Sequence, residues 1–158
     1  MPTPAKLGIK CNVYYNTATY AAPTWVALTC VSDFTQSVEW DTGEVLTRLS
    51  RVKMAVKTTL GLSWNGKLKV GDADTGYQLV LTMLVSDSAM DLLILNGDNV
   101  TSGVIGYRVD CQVTSATEDQ GTGAVLFDDV KFMPTPTVNA PKSCLVTAGA
   151  PVFTSLSF

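Results

Sequence analysis

The chain has 158 residues, of which 46% are apolar and 16% charged, enough for one domain with a sizeable core and incompatible with a disordered body. It contains no histidine, which removes Ser/His/Asp and Cys/His nucleophile systems, histidine general bases and every zinc site that needs imidazole. A net charge of −3 and a pI near 4.7 give no global attraction to phosphate, so strong nucleic-acid binding is not expected.

Val, Ile and Thr make up 42 of the 158 residues, which favours strands over helices. In chain order, a short arm (1–10) leads into a first strand over Cys11–Tyr15. Trp25–Asp33 reads as a second, with Val26, Leu28 and Cys30 on one face, and Phe34–Trp40 continues it. Asp41-Thr42-Gly43-Glu44 is a turn-like cluster. Arg51–Thr58 then alternates Val52, Met54 and Val56 against Arg51, Lys53 and Lys57, a strand with one basic face. Asn65-Gly66, between Thr59–Trp64 and Lys67–Val70, predicts a hairpin turn. The one helix expected lies near 75–87, capped from Asp72–Gly76, with Tyr77, Val80, Leu81 and Leu84 on one face. Asp91–Leu95 is a short apolar strand closed by Asn96-Gly97-Asp98. Gly106–Thr114 alternates Tyr107, Val109, Cys111 and Val113 against Arg108, Asp110, Gln112 and Thr114, and pairs with Ala124–Met133 after a Gly-Thr-Gly turn.

The domain proper is thus expected over 11–133. From Pro134 to Phe158 the chain holds four of its seven prolines and one charge, Lys142. Proline removes amide donors, so this segment is expected to be an extended arm. Its Val152, Phe153, Leu156 and Phe158 need covering, and the expectation is that they dock on a neighbouring subunit.

The four cysteines are scattered, with no CxxC pair and no secretory signal at the start, and read as reduced thiols of a cytosol-made chain. The longest apolar run, near Leu79–Val85, is too short to span a membrane, and no membrane partner is expected. Asp72–Gly76 opens like a calcium loop, but Tyr77 and Met83 stand where that loop needs Gly and Glu, so helix capping explains it. Glu118-Asp119 and Asp128-Asp129 are adjacent carboxylates whose side chains alternate across a strand, which is not a ready acid/base dyad. The Asn99-Val100-Thr101 sequon is read as accidental. Trp25, Trp40, Trp64 and three tyrosines, Tyr14, Tyr15 and Tyr20, are read first as core or interface anchors.

Charge is most informative between Arg48 and Lys69, which holds six of the eleven Lys and Arg. Asp33, Glu39, Asp41 and Glu44 lie just before it. The two groups can meet across paired strands or between subunits, as a polar interface of Asp33, Glu39, Asp41 and Glu44 with Arg48, Arg51, Lys53 and Lys57.

The order of features resembles the tail tube (major tail) proteins of long-tailed bacteriophages and their gene-transfer relatives. The resemblance rests on Thr24–Leu28 leading to Val31-Ser32-Asp33, Glu39-Trp40-Asp41 with Thr47-Arg48, Asp72–Gly76 before the helix, Asp91-Leu92-Leu93, and Val125–Phe132 running into Pro134-Thr135-Pro136. It implies a mainly β fold with one α-helix, a β-sandwich or barrel whose strands join across subunits into a ring. It implies further a homo-oligomer of hexameric rings stacked into a tube, through which the genome passes without specific binding. The expected partners are tape measure, terminator and baseplate or tip proteins, and the expected location is the virion tail, assembled in the host bacterial cytoplasm. No cofactor, metal or catalysis is implied. The rival readings are a carbohydrate- or protein-binding β-sandwich, as in a virion decoration or fibre component, and a small glycoside-acting enzyme using Glu118 or Asp128.

Overall fold

The computed structural model describes residues 11–46, 53–69, 75–118 and 125–156. Within them lie nine strands and one helix: β1 (Asn12–Asn16), β2 (Trp25–Ala27), β3 (Val31–Leu46), β4 (Lys53–Lys69), α1 (Thr75–Val85), β5 (Met90–Leu95), β6 (Ile105–Glu118), β7 (Val125–Pro134), β8 (Lys142–Thr147) and β9 (Ala150–Ser155). All strand pairings are antiparallel, and the principal order is β2-β1-β5-β6-β7-β4-β3. The sheet branches at β6. Gly106, Tyr107 and Arg108 pair with β5 on one side and with Cys144, Ser143 and Lys142 of β8 on the other, and from Cys111 onward β7 takes over that second side.

The main core lies between the sheet's two arms and α1. Trp64, Leu68, Val80, Leu92, Cys111, Val130 and Phe132 are almost wholly buried there, and the Phe34 and Phe132 rings meet at 5.6 Å. On α1, Tyr77 and Val80 are buried as the spacing predicts. Met83 joins them, while Leu81 and Leu84 pack at the margin. A second, smaller core of Leu93, Leu95, Val104, Cys144 and Val146 lies on the opposite side of β5. Covered on both faces, β5 shows an apolar run rather than alternation.

Three sequence expectations are corrected. Asp41–Glu44 is no turn: it runs inside β3, and its signal marks the register shift between Asp41 and Thr42. Asn65-Gly66 is no turn either, since both residues are paired within β4. A Cβ at Gly66 would stand 2.6 Å from Val31 Cγ1 and 2.9 Å from Phe34 Cδ2, so this glycine serves close approach, not reversal. Finally, Trp25–Asp33 is not continuous. It breaks after Ala27, with Leu28 and Cys30 buried and Val26 exposed.

Gly106 is the tightest point of the branch, where a Cβ would run into the Ile94 carbonyl oxygen. Since that atom is fixed backbone, Gly106→Ala is expected to cost about 2–3 kcal/mol, an overpacking that must move β5 or β6. Chemical denaturation checks this, and a cost below about 0.5 kcal/mol would show that the branch yields freely.

Candidate assembly surface

The β3–β4 hairpin extends well past the rest of the sheet. β4 pairs with β7 only over Trp64–Lys69, so among the described residues its part from Lys53 to Ser63 has β3 as its sole strand partner. The pairs from Leu46↔Lys53 to Ser37↔Ser63 therefore form a two-stranded ribbon, on the order of 30 Å long at about 3.4 Å per residue. A lone two-stranded ribbon is marginal in water and is stabilised by packing against something else.

The sequence-derived interface residues map onto this element in part. Register sets Glu39 opposite Gly61, Asp41 opposite Thr59 and Glu44 opposite Ala55, while Lys53 and Lys57 stand opposite Leu46 and Thr42. Acid and base thus share one ribbon of one chain. Asp33 lies at the ribbon's base, exposed and in the left-handed region (φ 51°), where β3 shifts register. It shares a shallow depression with Lys67 and with Asp129, which has φ 59°. Aspartate tolerates that backbone better than most residues. Arg48, Arg51 and Phe158 lie outside the described residues.

Residues 134–158 provide the largest correction. This segment was expected to leave its own domain and lie on a neighbour, but β8 pairs with β6 of the same chain, and β9 pairs with β8. The hairpin turns on Ala148 and Gly149, both at positive φ (50° and 80°), the requirement of a two-residue type I′ loop between Thr147 and Ala150. Pro151 is tolerated because β9 is an edge strand. Cys144 and Val146 point into the second core. Val152 is exposed, whereas Phe153 meets Trp25 at 6.2 Å.

A buried polar cluster on the polar side of the β6 alternation fastens this hairpin. Arg108 is 3% exposed. Its Nε and Nη2 donate to the Asp91 carboxylate at 3.0 and 2.6 Å, and Nη2 also donates to the Tyr20 carbonyl at 2.8 Å. The guanidinium lies 3.6 Å from the Tyr20 ring centre, with Phe153 at 4.9 Å and Trp25 at 5.1 Å, and the Lys142 ammonium approaches Tyr20 from 5.1 Å. Asp91 takes a further hydrogen bond from Asn16 Nδ2. Asp110 stands directly opposite Asp91 and accepts from Thr137 Oγ1 and Asn139 Nδ2, which ties the 134–141 connection down. Only the placing of charges amid apolar residues on β5 and β6 could have signalled this cluster.

None of the four cysteines forms a disulfide. Burial pushes Cys11 and Cys144 up to about 11, with Arg108 pulling Cys144 partly back, and Cys111 is raised further by burial and by Asp110. Such thiols stay protonated near neutrality, a packing role and not a nucleophilic one. Among the described residues no group of three or more Cys, Asp or Glu could hold a metal ion, and no helix is long and apolar enough to cross a membrane.

Open sheet edges complete the surface. Among the described residues β2, β3 and β9 each have a partner on one side only. The fold recurs in a solved assembly, the tail of an empty gene transfer agent (GTA) particle with C6 symmetry. One of its chains superposes with a TM-score of 0.63 over 96% of this chain and 100% of that one, at 12% identity. The chain has the fold of this GTA tail chain. A chain of the native GTA virion matches at a TM-score of 0.60 with 13% identity and the same coverage. At such identities the likeness is one of fold, and it agrees with the tail-tube features read from the sequence. No protein-family model and no curated protein matches the chain.

Proposed function

We propose that the protein is a structural subunit of a virion tail, whose copies close into hexameric rings that stack into a tube for genome passage. The observation that carries this reading is the end-to-end likeness to the chain of a six-fold symmetric GTA tail. Three physical features support it. The edges open among the described residues, at β2, β3 and β9, invite uncontrolled pairing in a monomer, and a closed ring removes them. The β3–β4 ribbon needs a covering surface that the described residues of its own chain do not supply through strand pairing. A net charge of −3 suits a bore through which DNA slides, because phosphate is held only where Lys and Arg line the path. In this reading the protein is not an enzyme, tape measure, terminator and baseplate or tip proteins are its tail partners, and assembly takes place in the host cytoplasm.

The ribbon carries contacts between subunits, with Arg48, Arg51, Lys53 and Lys57 meeting Asp33, Glu39, Asp41 and Glu44 of a neighbour. Each exposed pair contributes only about 0.2–1 kcal/mol, but a ring repeats it at every interface. Negative-stain microscopy of the purified chain at rising concentration should show rings or tubes. The Arg51→Glu, Lys53→Glu double variant should suppress them, with monomer melting unchanged within a few degrees. A compact monomer at every concentration would sink the tube reading, whereas tubes of normal length from the double variant would move the interface elsewhere.

A further inference from the structure

The Arg108 cluster leaves one buried carboxylate without a cation. Asp110 is 7% exposed, and its Oδ2 accepts from two neutral donors, Thr137 Oγ1 at 2.6 Å and Asn139 Nδ2 at 3.0 Å. Arg108 pairs with Asp91, and among the described residues no cation pairs with Asp110 and no donor meets its Oδ1. That oxygen is not sealed in, because the fully covered side-chain atoms without a partner among the described residues are Trp64 Nε1 and Asn65 Oδ1. Beside Asp110 a pocket of about 400 Å³ opens between α1, the start of β5 and the 134–141 connection.

The lining of this pocket is of two kinds. Asp91, Asp110 and Asn139 are polar, Leu79, Met83 and Met90 are apolar, and no basic residue lines it among the described ones. Both Asp91 oxygens are taken by Arg108, and one of them also by Asn16. Asn139 has given an amide hydrogen to Asp110, and its side-chain oxygen is an acceptor. The pocket thus presents acceptors and one uncompensated carboxylate oxygen next to apolar surface. A carboxylate buried among neutral donors alone is costly, and a cation beside it relieves that cost.

The chemistry of the lining selects among cations. A divalent metal ion takes six or more oxygens and makes no use of an apolar wall, whereas here only Asp110 has a carboxylate oxygen to spare. A guanidinium prefers both oxygens of a carboxylate, and Asp110 Oδ2 is already engaged. An alkylammonium group has a compact charge with three donors and a hydrocarbon stem, which match the acceptors and the apolar residues respectively.

We propose that this pocket binds a primary alkylammonium group, its nitrogen on Asp110 Oδ1 and its stem along Leu79, Met83 and Met90. The group is either a lysine side chain of a second copy or a free amine. The site lies within one subunit and does not depend on the tail reading.

Titration of the full-length protein, labelled at its methionine methyls, with n-butylammonium chloride tests this by nuclear magnetic resonance. The Met83 and Met90 methyls should shift saturably with a Kd of roughly 1–10 mM, and n-butanol should bind about tenfold or more weakly. Asp110→Asn should weaken the ammonium response about tenfold, and Ala89→Phe, a filling change at an exposed lining position, should abolish it. To separate the sources, unlabelled chain is added with its lysines free or acetylated. Shifts towards the ammonium-bound position from the free form alone identify a lysine of a second copy, and none from either form identifies a free amine. The proposal is overturned by n-butanol binding as well as the ammonium, or by calcium chloride moving the same methyls at lower concentration. An unchanged response in Ala89→Phe, or no saturable shift at all, overturns it too, whether or not Asp110→Asn folds.

Discussion

Replacing Arg108 with Met is expected to destabilise the protein by about 3–5 kcal/mol, among the largest effects of any single substitution outside the apolar core. Methionine fills much of the volume, so cavity formation is a minor part of the loss. What remains is the Asp91 carboxylate, 13% exposed, stripped of a two-point partner and left opposite Asp110. The Tyr20 carbonyl loses its donor, and Tyr20, Trp25 and Phe153 lose the cation that their rings surround. For a chain of this size such a loss corresponds to a fall in Tm of roughly 10–15 °C. A second substitution, Asp91→Leu, should recover a large part of it, because removing both charges removes the uncompensated one. A loss below about 1 kcal/mol for Arg108→Met would mean that water reaches Asp91 and that the cluster is not a closed one.

The same cluster shows where sequence patterning stops being informative. Alternation along β6 correctly sends Val109, Cys111 and Val113 inward, but it sends Arg108 and Asp110 to water, and they are buried. The pattern assumes one wet face, whereas the loop carrying Tyr20 and the 134–141 connection cover the second. Turn signals fail for a related reason. Gly66 satisfies a contact with Val31 and Phe34 that exists only after β3 and β4 have paired, and Asp41–Glu44 marks a bulge within a ribbon whose length no local window reveals. Features fixed by local periodicity, namely β1, α1, β5 and the β6–β7 pair, were legible. Of the proposed interface residues, the acid and base positions of the ribbon could be read as charge blocks. Their register could not, since it depends on a hairpin spanning Val31–Lys69.

Ending the chain at Pro134 is expected to abolish cooperative folding, the opposite of what a detachable arm would show. Leu93 and Leu95 are fully buried, and their cover includes Cys144 and Val146 of β8. Exposing two leucines and Val104 forfeits about 1.5–3 kcal/mol each, a sum comparable with the 5–15 kcal/mol that holds a typical domain together. The truncation also takes Thr137 and Asn139 from Asp110, Phe153 from the Arg108 cluster, and the strand that pairs with Gly106–Arg108, leaving backbone amides of β6 open. Near-ultraviolet circular dichroism and thermal melting of the 134-residue chain should show lost side-chain packing and a broad transition. As a graded version that keeps the chain whole, Val146→Ala is expected to cost about 2–4 kcal/mol, because its side chain is 1% exposed in a small core with little room to collapse. A truncated protein that melts cooperatively near the full-length Tm would show that β8 and β9 are a detachable arm after all, free to be given to a neighbour in the proposed ring. Should the truncation unfold, the proline-rich segment is as much part of the subunit as the strands before it, and the proposed assembly then rests on the ribbon and on the sheet edges rather than on an exchanged arm.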